Sequence, residues 1–161
     1  MDLKQLFYNG LSFSEFVKSG DNEITERLKS RYDNIVLDGT AVNFKSKVRY
    51  VLAFAENWCP DCQVSVPIMA KLCDVAKIDF KILKREGHEE EMKPFYEDGK
   101  AKIPTFAFLD DSFKVVGTWI ERPKVIKELV AKGDNSFRSG YVNGAYDKEI
   151  IDELLEKISR S

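Results

Sequence analysis

The chain is short of cysteine and histidine: its 161 residues include three of the first and one of the second. Three cysteines cannot build the crosslinked framework of a small secreted domain, which leaves them catalytic, metal-binding or incidental roles. Long apolar runs are missing as well. None approaches the roughly 20 residues that span a bilayer. The opening MDLKQLFYNGLSFSEFV spaces its apolar residues with polar ones, where a signal peptide has a continuous apolar core. Nor is there an excess of charge of one sign. With 25 basic and 27 acidic residues the net charge is −2, so nothing in the composition attracts a polyanion. No internal repeat or low-complexity tract is visible. What is present, 43% hydrophobic and 32% charged residues, suits one soluble domain with a substantial core. The expectation is a cytoplasmic chain with no nucleic-acid and no membrane partner.

One stretch carries chemistry. Residues 48–55 are an apolar run, as in a strand covered on both faces, and Glu56, Asn57 and Trp58 break it. Cys59 and Cys62 follow in C-x-x-C spacing, and a helical pattern continues to Ala76. This order puts Cys59 at a helix N-cap, Pro60 at the first helical position, where a missing N–H costs nothing, and Cys62 one turn in. A Cys59 thiolate there meets free backbone N–H groups and the positive end of the helix dipole. Cys62 is close enough for a disulfide and leaves room for a third sulfur. That is the geometry of a reversible dithiol. C-x-x-C also occurs in zinc sites, where Cys73 and His88 would be the remaining candidate ligands. Cys73 lies eleven residues beyond Cys62, roughly 16 Å along a helix, too far to share an ion or a disulfide. Cys73 therefore reads as a core thiol and His88 as a solvated residue in a charged turn.

Together these residues resemble the thioredoxin family. Trp58, Cys59 and Cys62 match its W-C-x-x-C, Pro67 falls at its mid-helix proline, and Ile103-Pro104-Thr105 resembles its cis-proline loop. The resemblance covers residues 48–132. It implies a thioredoxin-like three-layer α/β/α sandwich with a central mixed sheet. To that core this chain adds an N-terminal, mainly helical extension over residues 1–45, and a loop with an extra helix over 134–161, all in one domain. It also implies that Cys59 is the nucleophile, that Cys62 resolves the mixed disulfide, and that no cofactor is bound beyond the redox-active Cys59–Cys62 pair. Trp58 would flank the sulfur, although packing alone explains a tryptophan after a strand. Taken alone, residues 102–105 read as a trans proline at a strand start. The resemblance instead implies a cis Ile103–Pro104 peptide that turns the Ile103 backbone toward Cys59, ready to pair with an extended substrate, and a Pro104 that keeps metal off the dithiol.

Three departures from the family bear on function. The buried carboxylate that the family carries six residues before the first cysteine is Ala53 here, leaving Glu56, Asp61 or water for any proton relay, with Glu56 preferred. The usual glycine-containing loop after the last hairpin strand reads Trp119, Ile120, Glu121, Arg122, which implies a narrower substrate range. The motif interior is Pro60 and Asp61. Asp61 would compete with a Cys59 thiolate for the same N–H groups and raise its pKa, favouring a reductant over an oxidant.

The flanking elements follow from periodicity. Helices are expected over residues 3–9, from a Ser12/Glu15 capping box through Val17, and after Asp21; Phe7, Phe13 and Phe16 pack inward. Asp38 and Gly39 suggest either a hairpin turn or a helix end followed by a strand. A strand over 78–83, a helix over 89–97 interrupted at Pro94, a hairpin of 105–109 with 113–119, and a helix from Pro123 come next. Residues 134–146 have loop composition, and Asp147 caps a last amphipathic helix. The function expected is a thiol–disulfide oxidoreductase, a disulfide reductase, acting on protein or small-molecule disulfides with an upstream flavoprotein reductase or a small thiol as electron donor. The alternative is a redox-responsive binding protein whose partner affinity follows the Cys59–Cys62 oxidation state. Use of glutathione in the glutaredoxin manner is weakened by the absence of a C-P-Y-C interior.

Overall fold

The computed structural model describes residues 2–38 and 45–159. Three helices open the chain: α1 (Leu3–Asn9), α2 (Phe13–Lys18) and α3 (Asn22–Asn34). Each begins behind a side chain that accepts from an otherwise unpaired N–H of the first turn. Asp2 accepts from Gln5 at 3.1 Å, Asp21 accepts from Ile24 at 2.9 Å, and Ser12 and Glu15 close the expected reciprocal capping box. The Ser12 N–H and hydroxyl hold the Glu15 carboxyl below its ordinary range. Phe7 and Phe16 are fully buried and Phe13 lies partly buried against Tyr32. Between α1 and α2, Leu11 and Ile82 exchange two backbone hydrogen bonds of 2.7 and 2.8 Å, which covers part of a sheet edge.

The elements that follow are β1 (Tyr50–Phe54), α4 (Pro60–Ala76), β2 (Asp79–Leu83), α5 (Glu89–Met92) with a 3-10 turn at Lys93–Phe95, β3 (Thr105–Leu109), β4 (Val115–Ile120), α6 (Lys124–Ala131), α7 (Arg138–Val142) and α8 (Asp147–Ser159). The sheet order is β2-β1-β3-β4, with β1 parallel to β2 and antiparallel to β3, and β3 antiparallel to β4. The fold is the expected α/β type, a mixed sheet flanked by helices. Residues 51–54 of β1 are all buried, which is why this strand is apolar without alternation. A parallel pair needs a crossover, and α4 supplies it between β1 and β2. That connection brings the N-terminus of α4 to the C-terminal end of the central strand.

Several boundaries differ from the sequence pattern. The hairpin turn is longer than expected. Phe113 adopts φ 61°, and the Asp110 carboxylate accepts from the N–H groups of Ser112 (2.8 Å) and Lys114 (3.0 Å), so β4 begins at Val115. The helix expected over 89–97 ends at Met92. Residues 134–146, expected as loop, contain α7, whose buried Tyr141 lies on the helix that packs against α4. Asp147 is the first residue of α8 and not its cap. Its carboxylate instead takes both terminal nitrogens of Arg31, at 2.7 and 2.9 Å, and ties α8 to α3. The turn expected at Asp38 and Gly39 falls on residues 39–44, outside the described residues; residues 35–38 belong to no strand. Trp119 stacks on Phe106 with centroids 5.6 Å apart and donates its ring N–H to Glu153 at 2.9 Å, fixing β4 to α8. Among the described residues no helix is long and apolar enough to cross a membrane.

Candidate active site

Cys59 stands at the N-cap of α4 with extended backbone angles, and Pro60 occupies the first turn. Its N–H donates to the Glu56 carbonyl at 3.3 Å, and its carbonyl accepts from Gln63 at 2.9 Å. The sulfur makes no capping hydrogen bond as a thiol. As an anion it is favoured first by the Cys62 thiol, then by the N–H groups of Cys62 and Asp61; burial and the Asp61 charge oppose this. The balance lowers the Cys59 pKa below the ordinary thiol value. Cys62 is fully buried, and burial, followed by the neighbouring Cys59, pushes its pKa well up; the Glu56 N–H works weakly the other way. Two chemically identical side chains are thereby driven apart, one toward thiolate and one toward thiol. Both are free thiols here.

The turn that presents Cys59 is fastened from the N-terminal helices and the turn between them. Asn57 donates its side-chain amide to Ser19 at 2.9 Å. Gln63 donates to the Asn57 carbonyl at 2.9 Å and accepts from Arg27 of α3 at 3.2 Å. Trp58 is 57% exposed beside the sulfur's residue, with the Arg85 guanidinium 6.0 Å from its ring centre; it is not a core aromatic. The Ile103–Pro104 peptide is cis. Ile103 is buried, yet its backbone N–H and C=O have no hydrogen-bond partner among the described residues. The Pro104 carbonyl accepts from Glu121 at 2.7 Å, and the Thr105 hydroxyl donates to the Lys102 carbonyl at 2.7 Å.

The family model described as Thioredoxin matches residues 10–137. The chain belongs to the thioredoxin family. That membership supports a general thiol–disulfide redox role. No curated protein matches the chain. Among solved structures, a protein of unknown function from Pseudomonas aeruginosa is 21% identical over 98% of this chain and 96% of its own, with a TM-score of 0.82. An HIV epitope-scaffold is 20% identical over 100% of this chain and 99% of its own, with a TM-score of 0.84. At such identities the likeness speaks for the fold alone.

Within this thioredoxin-family frame the two expected tuning carboxylates have definite partners. Asp61 was expected to raise the pKa of Cys59. Its charge does act in that direction, but its carboxylate is gripped by Arg122, Nε to Oδ1 at 3.0 Å and Nη2 to Oδ2 at 3.1 Å, and the N–H groups and Cys62 outweigh it. Glu56 was the preferred proton relay. It is buried as such a role needs, but its carboxylate accepts the Glu86 N–H at 2.9 Å, and the charges bearing on Cys62 are those of Cys59 and Asp61. Ala53, at the family's carboxylate position, is fully buried.

Cys73 is a buried thiol on α4, its pKa pushed well up by burial. His88 is part-buried rather than fully solvated and shares a hydrogen bond of 2.8 Å between Nδ1 and the Lys84 carbonyl. Among the described residues no three His, Cys, Asp or Glu side chains converge on one point. Sequence reasoning named Arg122 only as part of a charged loop and missed its grip on Asp61, and it missed the contacts of Gln63 and Arg85. Only Arg122 left a signal, an unpaired-looking cation in the loop expected to border the substrate groove.

Proposed function

We propose that this protein is a thiol–disulfide oxidoreductase working as a disulfide reductase. The Cys59 thiolate attacks a substrate disulfide, forming a mixed disulfide and expelling one substrate thiolate, which takes up a proton. Cys62 then loses its proton and attacks the Cys59 sulfur, closing the Cys59–Cys62 disulfide and releasing the second substrate thiol. Two electrons pass from the dithiol to the substrate. A small thiol or a flavoprotein reductase returns them, by analogy with the family. The observation that carries this reading is the contrast between Cys59, 7% exposed at the N-cap of α4 and favoured as an anion, and Cys62, 0% exposed and held protonated beside it. A protonated Cys62 cannot compete for substrate, and it needs a proton acceptor only after the mixed disulfide forms. Asp61 is held by Arg122, so Glu56, which accepts one hydrogen bond on Oε2, or water is the acceptor this reading assigns. The free Ile103 backbone groups offer an extended substrate segment one donor and one acceptor.

The test uses the Cys62→Ser variant, which should accumulate a stable mixed disulfide with a generic disulfide reagent, while Cys59→Ser should form none. Trapping by Cys59→Ser would reverse the roles.

A second reading has its own support. Arg27 of helix α3 reaches the active-site turn through Gln63, and a groove of about 580 Å³ beside Pro60 is lined by Arg27, Ser30, Asn34 and Val142. Such a surface suits a binding protein that reports the state of the dithiol. Multiple turnover on a generic disulfide favours the reductase; slow turnover with oxidation-dependent partner affinity favours the binding protein.

A further inference from the structure

The short loop after β4 touches both the C-x-x-C and the cis-proline loop. Arg122 is bidentate on Asp61 within the C-x-x-C, both side chains being 16% exposed. Its guanidinium carbon lies 5.7 Å from the ring centre of Phe137, which comes from the C-terminal segment. The neighbouring Glu121 donates its N–H to the Pro104 carbonyl, at a left-handed φ of 67° that only an over-determined loop imposes on a non-glycine residue. A fork-to-fork arginine–carboxylate contact is directional as well as attractive, and at this burial salt screens it less than a surface pair.

The groups facing Cys59 are Cys62 and Asp61; those facing Asp61 are Arg122, Glu121, Tyr141 and the two cysteines. An unpaired Asp61 carboxylate would stand in the first turn of α4 with nothing to offset its repulsion of a thiolate, and free to bend back toward the N–H groups that favour that thiolate.

We propose that Arg122 is a positioning residue for the dithiol: it holds the Asp61 carboxylate away from the N-terminus of α4 and offsets its charge, so that Cys59 serves as the thiolate. The role rests on the exchange reading for its use, but its mechanism is electrostatic and can be measured without turnover. Arg122 acts on the sulfur through Asp61, so its effect must depend on Asp61.

The experiment follows the rate of iodoacetamide alkylation of Cys59 against pH in dithiothreitol-reduced protein, with peptide mapping to assign the modified cysteine. Arg122→Gln should move the midpoint to higher pH and slow alkylation several-fold at a fixed pH below it. Asp61→Asn should move the midpoint to lower pH. The double variant should lie with Asp61→Asn, because no carboxylate is left to offset. Arg122→Lys keeps the charge and loses the bidentate grip, so its shift should be smaller than that of Arg122→Gln and in the same direction. Should Arg122→Gln fail to fold, Arg122→Lys with and without Asp61→Asn makes the same comparison. A midpoint unchanged by losing Arg122, or one shifted equally whether residue 61 is Asp or Asn, overturns the proposal. Failure of the exchange reading looks different: midpoints that shift as described while Cys62→Ser traps no disulfide.

Discussion

The ion pair between Arg31 and Asp147 is the clearest case in which one substitution should report on how the N- and C-terminal helices are joined. Arg31 of α3 is 14% exposed and Asp147 of α8 is 22% exposed; two charge-assisted bonds of 2.7 and 2.9 Å connect them. The same guanidinium donates to the Val64 carbonyl of α4 at 2.7 Å, while its Nε–H has no partner among the described residues. Asp147→Leu removes the acceptor and leaves a mostly buried cation. Removing one partner of a fully buried pair costs about 3–5 kcal/mol, and the residual exposure here, which admits some water, brings the expectation to about 2–3 kcal/mol. In a chain of this size about 1 kcal/mol moves Tm by roughly 2–4 °C, so Tm should fall by about 5–10 °C. Adding Arg31→Met should restore most of the loss, because removing both charges also removes their desolvation cost. Urea and thermal unfolding followed by circular dichroism measure both. Lys148→Gln is the reference, since it breaks a pair whose side chains are 83% and 60% exposed and should leave the urea midpoint and Tm nearly unchanged. If Asp147→Leu costs no more than Lys148→Gln, or if the double variant is no more stable than the single, the burial argument is wrong.

Two further predictions concern stability. Cys73 and Cys62 have folded pKa values above the unfolded one, so their contribution to stability is complete below about pH 8.5 and is lost as pH rises through the folded values; Cys59, with a lowered value, has the opposite sign. Urea titrations should therefore show a loss at alkaline pH that is smaller in Cys73→Ala, and an equal loss in the two proteins would reject the picture of a thiol held protonated on α4. Lys77 ends α4 in the left-handed conformation, φ 58°, with an exposed side chain. Lys77→Gly should stabilise by about 0.5–1 kcal/mol, read as a higher urea midpoint, and a lower midpoint would show that the lysine side chain matters more than its backbone.

What the sequence alone determined is local or periodic. Cys59 reached the N-cap of α4 because a strand, a three-residue break and Pro60 leave one place for a helix to begin. The apolar run before it had to be a covered strand, the Ser12 and Glu15 pair had to open a helix, and the positions of Pro67 and Pro104 relative to the cysteines carried the family. Each of these depends on residues a few places apart, where capping, proline geometry and side-chain period act directly. The tertiary structure decided what depends on partners distant in the chain. Asp61 and Arg122 are 61 residues apart, Arg31 and Asp147 are 116 apart, and Glu56 meets Glu86 across 30. Nothing in the spacing of these residues announces that they meet. The sign of the Cys59 shift came from nearer by, from the Cys62 thiol and the first-turn N–H groups, against burial and the Asp61 charge. Helix α7 was hidden for a related reason: a five-residue helix rich in loop-forming neighbours has little propensity of its own, and the burial of Tyr141 beside α4 holds it. Chain-local physics placed the two sulfurs, and long-range packing set how differently they behave.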